Sequence, residues 1–298
     1  MHIDNYRQRL IDRKLDVYLS TFGAVCVEGP KWCGKTWTSM VHAQSAFFVG
    51  DPEDNFANRQ LASLEVNKAL EGKSPHLIDE WQEVPSIWDA VRYSVDQRAE
   101  TGRFILTGSS TPQNKGVLHS GTGRIASLPM HPMSLWESGD SSGLVSLADV
   151  CAGHDIGVQN VGSPAIDRLV SFVVRGGWPG AVGKSDAQAV MIPREYVENI
   201  IKIDIQKLDD IERDHVKVRK CLRSLARNES TTASTATIRD DIAEADDTSM
   251  GVNTVTTYLA AFKRLFLTHD TEPFSPFLRS PTNAPRTCHS PSDAASAE

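Results

Sequence analysis

The chain is 298 residues long, which at roughly 150 residues per domain predicts about two domains, each large enough to bury its own core. Hydrophobic residues make up 40% and charged residues 23%, and no run approaches the ~18 consecutive apolar residues of a membrane helix, so composition argues against a membrane protein, a fibre or a wholly disordered chain. With 31 Lys and Arg against 38 Asp and Glu the net charge is −7, so binding to a polyanion would need a local basic face.

Five scattered cysteines with no CxxC pair give neither a zinc site nor a disulfide framework, and point to a reducing, cytoplasmic setting. Charges recur through the first 16 residues with no apolar run behind them, so the N-terminus reads as an amphipathic helix rather than a signal peptide. Residues 24–27 (AVCV) form a short apolar run between Gly23 and Gly29, the mark of a buried strand. A glycine-rich turn follows, then a helix over 35–41 and a strand over 46–49 closed by Gly50, Asp51 and Pro52. Helical spacing over 56–70 leads to a strand at 75–80 that ends in two carboxylates, and a helix over 86–99 precedes strands at 103–107 and 124–128. Strands alternating with helices predict a parallel sheet covered on both faces.

The stretch 135–164 is rich in Gly, Ser and Asp and is assigned as a linker or surface excursion. Beyond it, helical spacing recurs at 166–175, 194–211, 216–227, 238–245 and 252–265, so the second part is mainly helical. Pro, Ser, Thr and Ala dominate from Pro273, and the last residues show no apolar period, which predicts a disordered tail. The expected organisation is a core over 1–137, the linker over 138–164, a helical domain over 165–279 and the tail over 280–298.

Residues 29–36 read GPKWCGKT and match GxxxxGK[ST] at every fixed position. The motif follows a buried strand and opens a helix, so backbone N–H groups and the positive end of the helix dipole can face a triphosphate. Gly29, Pro30, Lys31, Trp32, Cys33, Gly34, Lys35 and Thr36 are therefore the expected phosphate cradle. Lys35, read as an exposed loop residue, would reach the β- and γ-phosphates of ATP, and the Thr36 hydroxyl would ligate magnesium. Cys33 is a small filler, or else a thiol activated by the helix N-terminus. At the strand end HLIDE, Asp79 can hold magnesium through water and Glu80 can orient the attacking water. Ser109, in TGSS after the next strand, is either a turn serine or a group near the γ-phosphate.

With these motifs the chain resembles the bacterial and archaeal AAA-type P-loop ATPases that carry a C-terminal domain of unknown function. The likeness rests on GPKWCGKT (29–36), LIDEWQEVP (77–85), FILTGSS (104–110), HSGTGRI (119–125), PMSLWE (132–137) and RGGWPG (175–180), and continues to about Arg279. It implies an α/β P-loop NTPase core with strand order 5-1-4-3-2, followed by a mostly helical, winged-helix-like domain whose helix-turn-helix spans 238–245 and 253–264. By position it makes Arg124 an arginine finger or phosphate sensor. The family continues past Arg279 with a nuclease-like segment absent from 281–298, so the resemblance implies a C-terminal truncation. RGGWPG reads as a tight turn with a packed indole, and Arg175 as a second-domain sensor.

The expected function is a cytoplasmic, magnesium-dependent ATPase that works as a switch on an unknown macromolecular client, with homo-oligomerisation in keeping with AAA proteins. One alternative is a nucleotide-gated DNA-binding regulator. Residues 209–264 carry nine Lys/Arg against ten Asp/Glu, a poor DNA face, although Lys217, Arg219, Lys220, Arg223 and Arg227 make a local basic cluster. The other is a small-molecule kinase, disfavoured by the glutamate after Asp79 and by the lack of an acceptor motif.

Overall fold

The computed structural model describes residues 6–110, 117–159, 162, 165–209, 211–246, 249–271 and 287–289. In chain order the first part runs α1 (Leu10–Thr21), β1 (Ala24–Glu28), α2 (Lys35–His42), β2 (Ser45–Phe48), α3 (Glu53–Leu64), β3 (His76–Asp79), α4 (Ser86–Arg98), β4 (Phe104–Gly108) and β5 (Ile125–Pro129). The helical spacing over 56–70 divides in the structure, because the backbone leaves the helical region at Glu65 (φ −133°, ψ 75°), ending α3, and a 3₁₀ turn covers Val66–Leu70. The five strands are parallel in the order β2-β3-β4-β1-β5, as the resemblance implied.

Two-residue periodicity sends side chains of one strand to opposite faces of the sheet. Ala24 and Cys26 of β1 join Ile78, Phe104 and Leu106 against Ile87 and Val91 of α4, while Val25 and Val27 join Leu77 and Ile105 against Leu15 and Leu19 of α1. Both faces are thus covered, which is why these strands read as unbroken apolar runs. β1 lies between β4 and β5, one strand in from the edge of the sheet, and the glycine-rich loop begins at its C-terminal end.

Beyond the sheet follow α5 (Leu147–Cys151), α6 (Ile166–Arg175), α7 (Asp186–Ala189), α8 (Met191–Asn199), α9 (Ile205–Lys207), α10 (His215–Arg227), α11 (Thr235–Asp246) and α12 (Val252–Arg264). A short antiparallel ribbon of β6 (His269–Thr271) and β7 (Thr287–His289) comes last. The predicted linker carries one short helix, α5. The predicted helix over 194–211 is interrupted: a π-helical turn, Ile200–Asp204, joins α8 to α9. A second core gathers Trp178, Tyr196, Ile201, Cys221, Ile242 and Phe262. The stretch 280–298 lies outside the described residues apart from 287–289. Among the described residues no helix is long and apolar enough to cross a membrane.

Candidate functional site

The loop after β1 is held at its base by both neighbouring strands: the Gly29 N–H donates to the Gly108 carbonyl (3.2 Å) and the Met130 N–H to that of Glu28 (2.7 Å). A Cβ on Gly29 would stand 2.1 Å from the Met130 carbonyl oxygen, so only glycine fits. Gly34 has φ +107°, and Trp32 enters the left-handed region at φ 66° with its indole exposed. A bulky residue held there costs on the order of 1–3 kcal/mol, strain of the kind that concentrates at functional sites.

Lys35 is not the exposed loop residue expected from the sequence. It is the first residue of α2 and only 4% exposed. Its ammonium donates to the carbonyls of Gly29 (3.0 Å) and Pro30 (2.9 Å), which shapes the loop around the charge. Cys33 is fully buried, and its thiol approaches the Met130 carbonyl at 3.7 Å. Burial pushes that thiol up from its ordinary value against the lowering pull of Lys35 and Arg9. The activated-thiol reading fails, because desolvation outweighs the field of the helix N-terminus, and Cys33 is the filler. Arg9 clasps the loop from behind, donating to the Cys33 carbonyl (2.7 Å) and the His131 carbonyl (2.8 Å) while ion-paired to Glu137 (2.9 Å). Burial pushes the Glu137 carboxyl up, but the N–H groups of Ser134 and Leu10 and the Arg9 guanidinium prevail and hold it low.

Beside the loop the two carboxylates sit in one network. The Thr36 hydroxyl donates to Asp79 Oδ1 (2.8 Å), and so does Thr107 Oγ1 (2.7 Å). Thr107 in turn accepts the Glu80 N–H (3.0 Å), and Ser109 Oγ donates to Glu80 Oε2 (2.7 Å). Burial pushes the Asp79 carboxyl above its ordinary value, with the two threonine hydroxyls opposing. A hydroxyl and a half-buried carboxylate in contact are hard oxygen donors that fit a magnesium ion shared with phosphate. Glu80 itself has φ 58°, ψ 48°, a left-handed non-glycine residue that turns its side chain off the strand end.

The structure therefore brings together Gly29, Pro30, Lys31, Trp32, Cys33, Gly34, Lys35, Thr36, Asp79, Glu80 and Ser109. It does not bring Arg124 there. Arg124 precedes β5, at the sheet edge opposite the loop, half-exposed and bonded to Asp96 (2.7 Å). A role as a phosphate sensor within the same chain is therefore excluded, because about five residues of strand at roughly 3.3 Å each separate it from the loop. Arg175 is paired with Asp140 (2.9 Å) and stacked on Phe172. Sequence reasoning missed Arg9, Thr107 and Gln82. Thr107 lay two residues before Ser109, on the same strand face, which was the only available signal.

The second part reaches the loop directly. A cavity of about 670 Å³ over the loop is lined by Lys31, Lys35, Thr36, Trp37, Glu80 and Pro179. A second, of about 400 Å³, brings Lys31, Glu80, Gln82 and Ser109 opposite Asp204 and Lys207. The Lys31 ammonium is 2.6 Å from the Asp204 carboxylate, and the Met133 N–H donates to the Gly177 carbonyl (2.6 Å), so RGGWPG is tied to the end of the sheet while Trp178 is buried among the helices.

Residues 21–138 match the AAA domain family and residues 166–287 a domain of unknown function (DUF8612). An uncharacterized protein of Mycobacterium tuberculosis and one of Mycobacterium bovis are each 28% identical over 189 residues, 62% of this chain and 36% of theirs. The chain thus spans about a third of the length of these curated relatives. A Walker-type ATPase of Pyrococcus abyssi shares the fold with a TM-score of 0.57 at 14% identity, covering 98% of this chain and 95% of that one. The first part of the chain thus matches an AAA domain and the second a domain of unknown function, the pairing that the resemblance implied.

Proposed function

We propose that the chain is a magnesium-dependent ATPase that acts as a nucleotide-driven switch on a macromolecular client, within a homo-oligomer. The observation that carries this reading is the network Thr36–Asp79–Thr107–Glu80 beside the loop. Lys35 and the loop N–H groups would bind the triphosphate. Magnesium, held by Thr36 and through water by Asp79, would neutralise charge on the phosphates. Glu80 would orient the water, and Ser109 would respond to the γ-phosphate. The ion pair of Lys31 with Asp204 supports the switch, since a phosphate group would compete with Asp204 for Lys31. Phosphate release and ATP binding by Lys35→Ala and Glu80→Gln test the assignment. Lys35→Ala is expected to lose ATP binding, whereas Glu80→Gln keeps binding and slows hydrolysis on the order of 10²-fold. A parental rate in Glu80→Gln would overturn the role of Glu80.

A second reading, a nucleotide-gated DNA-binding regulator, is favoured by one observation: helices α10, α11 and α12 followed by an antiparallel ribbon have the order of a winged helix. The charges oppose it. Arg219 is paired with Glu198 and Arg227 with Asp241, so that part of the basic cluster is already neutralised. A salt-dependent shift of duplex DNA that requires ATP would favour the regulator over the client-bound switch.

A further inference from the structure

The Glu80 carboxylate is held by a second side chain of its own turn, which none of the motif readings used. The Gln82 amide nitrogen donates to Glu80 Oε2, and also to Ser109 Oγ at 3.2 Å, while Ser109 Oγ donates to the same Oε2 at 2.7 Å. One carboxylate oxygen is thereby fixed from two sides, and among the described residues no donor reaches Oε1. The turn that delivers Gln82 is itself anchored. Trp81 is 5% exposed and packs on Trp88 with ring centroids 4.8 Å apart. A Cβ at Gly108 would stand 3.1 Å from Trp81 Nε1 and 3.5 Å from Gln82 Oε1, so the bare strand end leaves the room in which the Gln82 amide lies. The left-handed backbone of Glu80 folds Trp81 and Gln82 back over β4 rather than onward from β3.

We infer that Gln82 is a positioning residue for hydrolysis: it locks Oε2 of Glu80 and leaves Oε1 as the oxygen that meets the attacking water. This rests on the hydrolytic reading above. In that step the water oxygen forms a bond to the γ-phosphorus, the bond from phosphorus to the β–γ bridging oxygen breaks, and the water proton passes to Oε1. ADP departs with the bonding electrons, and the proton is later released with phosphate to solvent. A glutamate free to rotate between its two oxygens would present a correctly placed acceptor in only part of its population, whereas the donors from Gln82 and Ser109 select one orientation. Because the lock bears on the carboxylate and not on the phosphate loop, it is expected to alter turnover without altering nucleotide affinity.

The test uses the full chain with Gln82→Met, which keeps length and loses the donor, and Gln82→Glu, which keeps shape and sets a like charge against Oε2. Each is measured alone and combined with Glu80→Ala, by single-turnover phosphate release, ATP dissociation constant and melting temperature. A hydrogen bond to a charged group corresponds to a loss of about 10- to 100-fold in kcat, with KM and ATP affinity within about twofold of the parent. The double variants should be no slower than Glu80→Ala alone, because a residue acting through Glu80 has nothing left to position. A parental kcat in either single variant, or an additive loss on the Glu80→Ala background, overturns the inference and leaves the ATPase reading intact. A parent protein without turnover overturns both.

Discussion

Thr107 serves two neighbouring acidic residues with one hydroxyl, donating to the Asp79 carboxylate Oδ1 and accepting the backbone N–H of Glu80. It is fully buried, so neither bond is replaced by water when the hydroxyl is removed. Thr107→Val keeps the shape and deletes both bonds, leaving the N–H of a left-handed residue unpaired; a buried donor without a partner costs about 1–3 kcal/mol. The variant should be less stable by that amount in urea unfolding, and its hydrolysis should fall further than its ATP affinity. Equal stability would mean that water reaches the turn. The meeting of Thr36 with Asp79 was legible in the sequence, because a strand-to-helix turn and a strand that ends in carboxylates both follow from local spacing. The role of Thr107 follows instead from the register of β3 on β4, where Ile78 stands opposite Leu106 and brings Asp79 alongside Thr107. Register between strands is a tertiary fact, and no local pattern near either residue encodes it.

At the scale of elements, the helical part is organised around a buried ion cluster at the exit of α9. Asp209 accepts from Arg213 (2.7 and 3.0 Å) and from Arg264 of α12 (2.7 Å). The Arg213 guanidinium beside it holds its carboxyl down to about 2, against the opposing effect of burial. A carboxyl lower in the folded chain than its ordinary 3.8 stabilises fully above that value. The stabilisation drains as pH falls toward about 2, so acid unfolding should set in across that window. Asp209→Ala strands the buried Arg213 charge, and breaking such a pair costs about 3–5 kcal/mol. The loss should be visible in thermal unfolding at neutral pH, and the acid sensitivity of the variant should flatten. The sequence predicted helix across this region, since three- and four-residue spacing persists through it. It could not show the π turn Ile200–Asp204, because one wider turn shifts the faces without breaking the apolar period. That turn carries Asp204, the residue that meets Lys31, so the hidden irregularity is the one that joins the helical part to the loop.

The whole molecule has a polarity that decides what Arg124 can do. The phosphate loop opens from the C-terminal end of β1, whereas Ala24 at the other end of β1 pairs with Ile125; Arg124 therefore sits one strand length, about 16 Å, from its own nucleotide site. A nucleotide it touches must belong to a second copy. Its present partner does not forbid that, because Arg124 is 48% exposed and Asp96 29% exposed, and an exposed ion pair of this kind is worth about 0–1 kcal/mol. An arginine supplied across an interface stabilises charge in the transition state and contributes little to ground-state binding. Arg124→Ala is therefore expected to bind ATP like the parent and to hydrolyse it on the order of 10³-fold more slowly. Mixed with Lys35→Ala, which has an intact Arg124 but no phosphate-binding lysine, it should regain activity, because one interface in the mixed assembly pairs a working loop with a working arginine. The mixture is titrated at constant total protein while phosphate release and assembly state are followed together. Recovery that peaks near equal proportions supports action between copies, and a flat response in a verified oligomer assigns Arg124 to its bond with Asp96 alone.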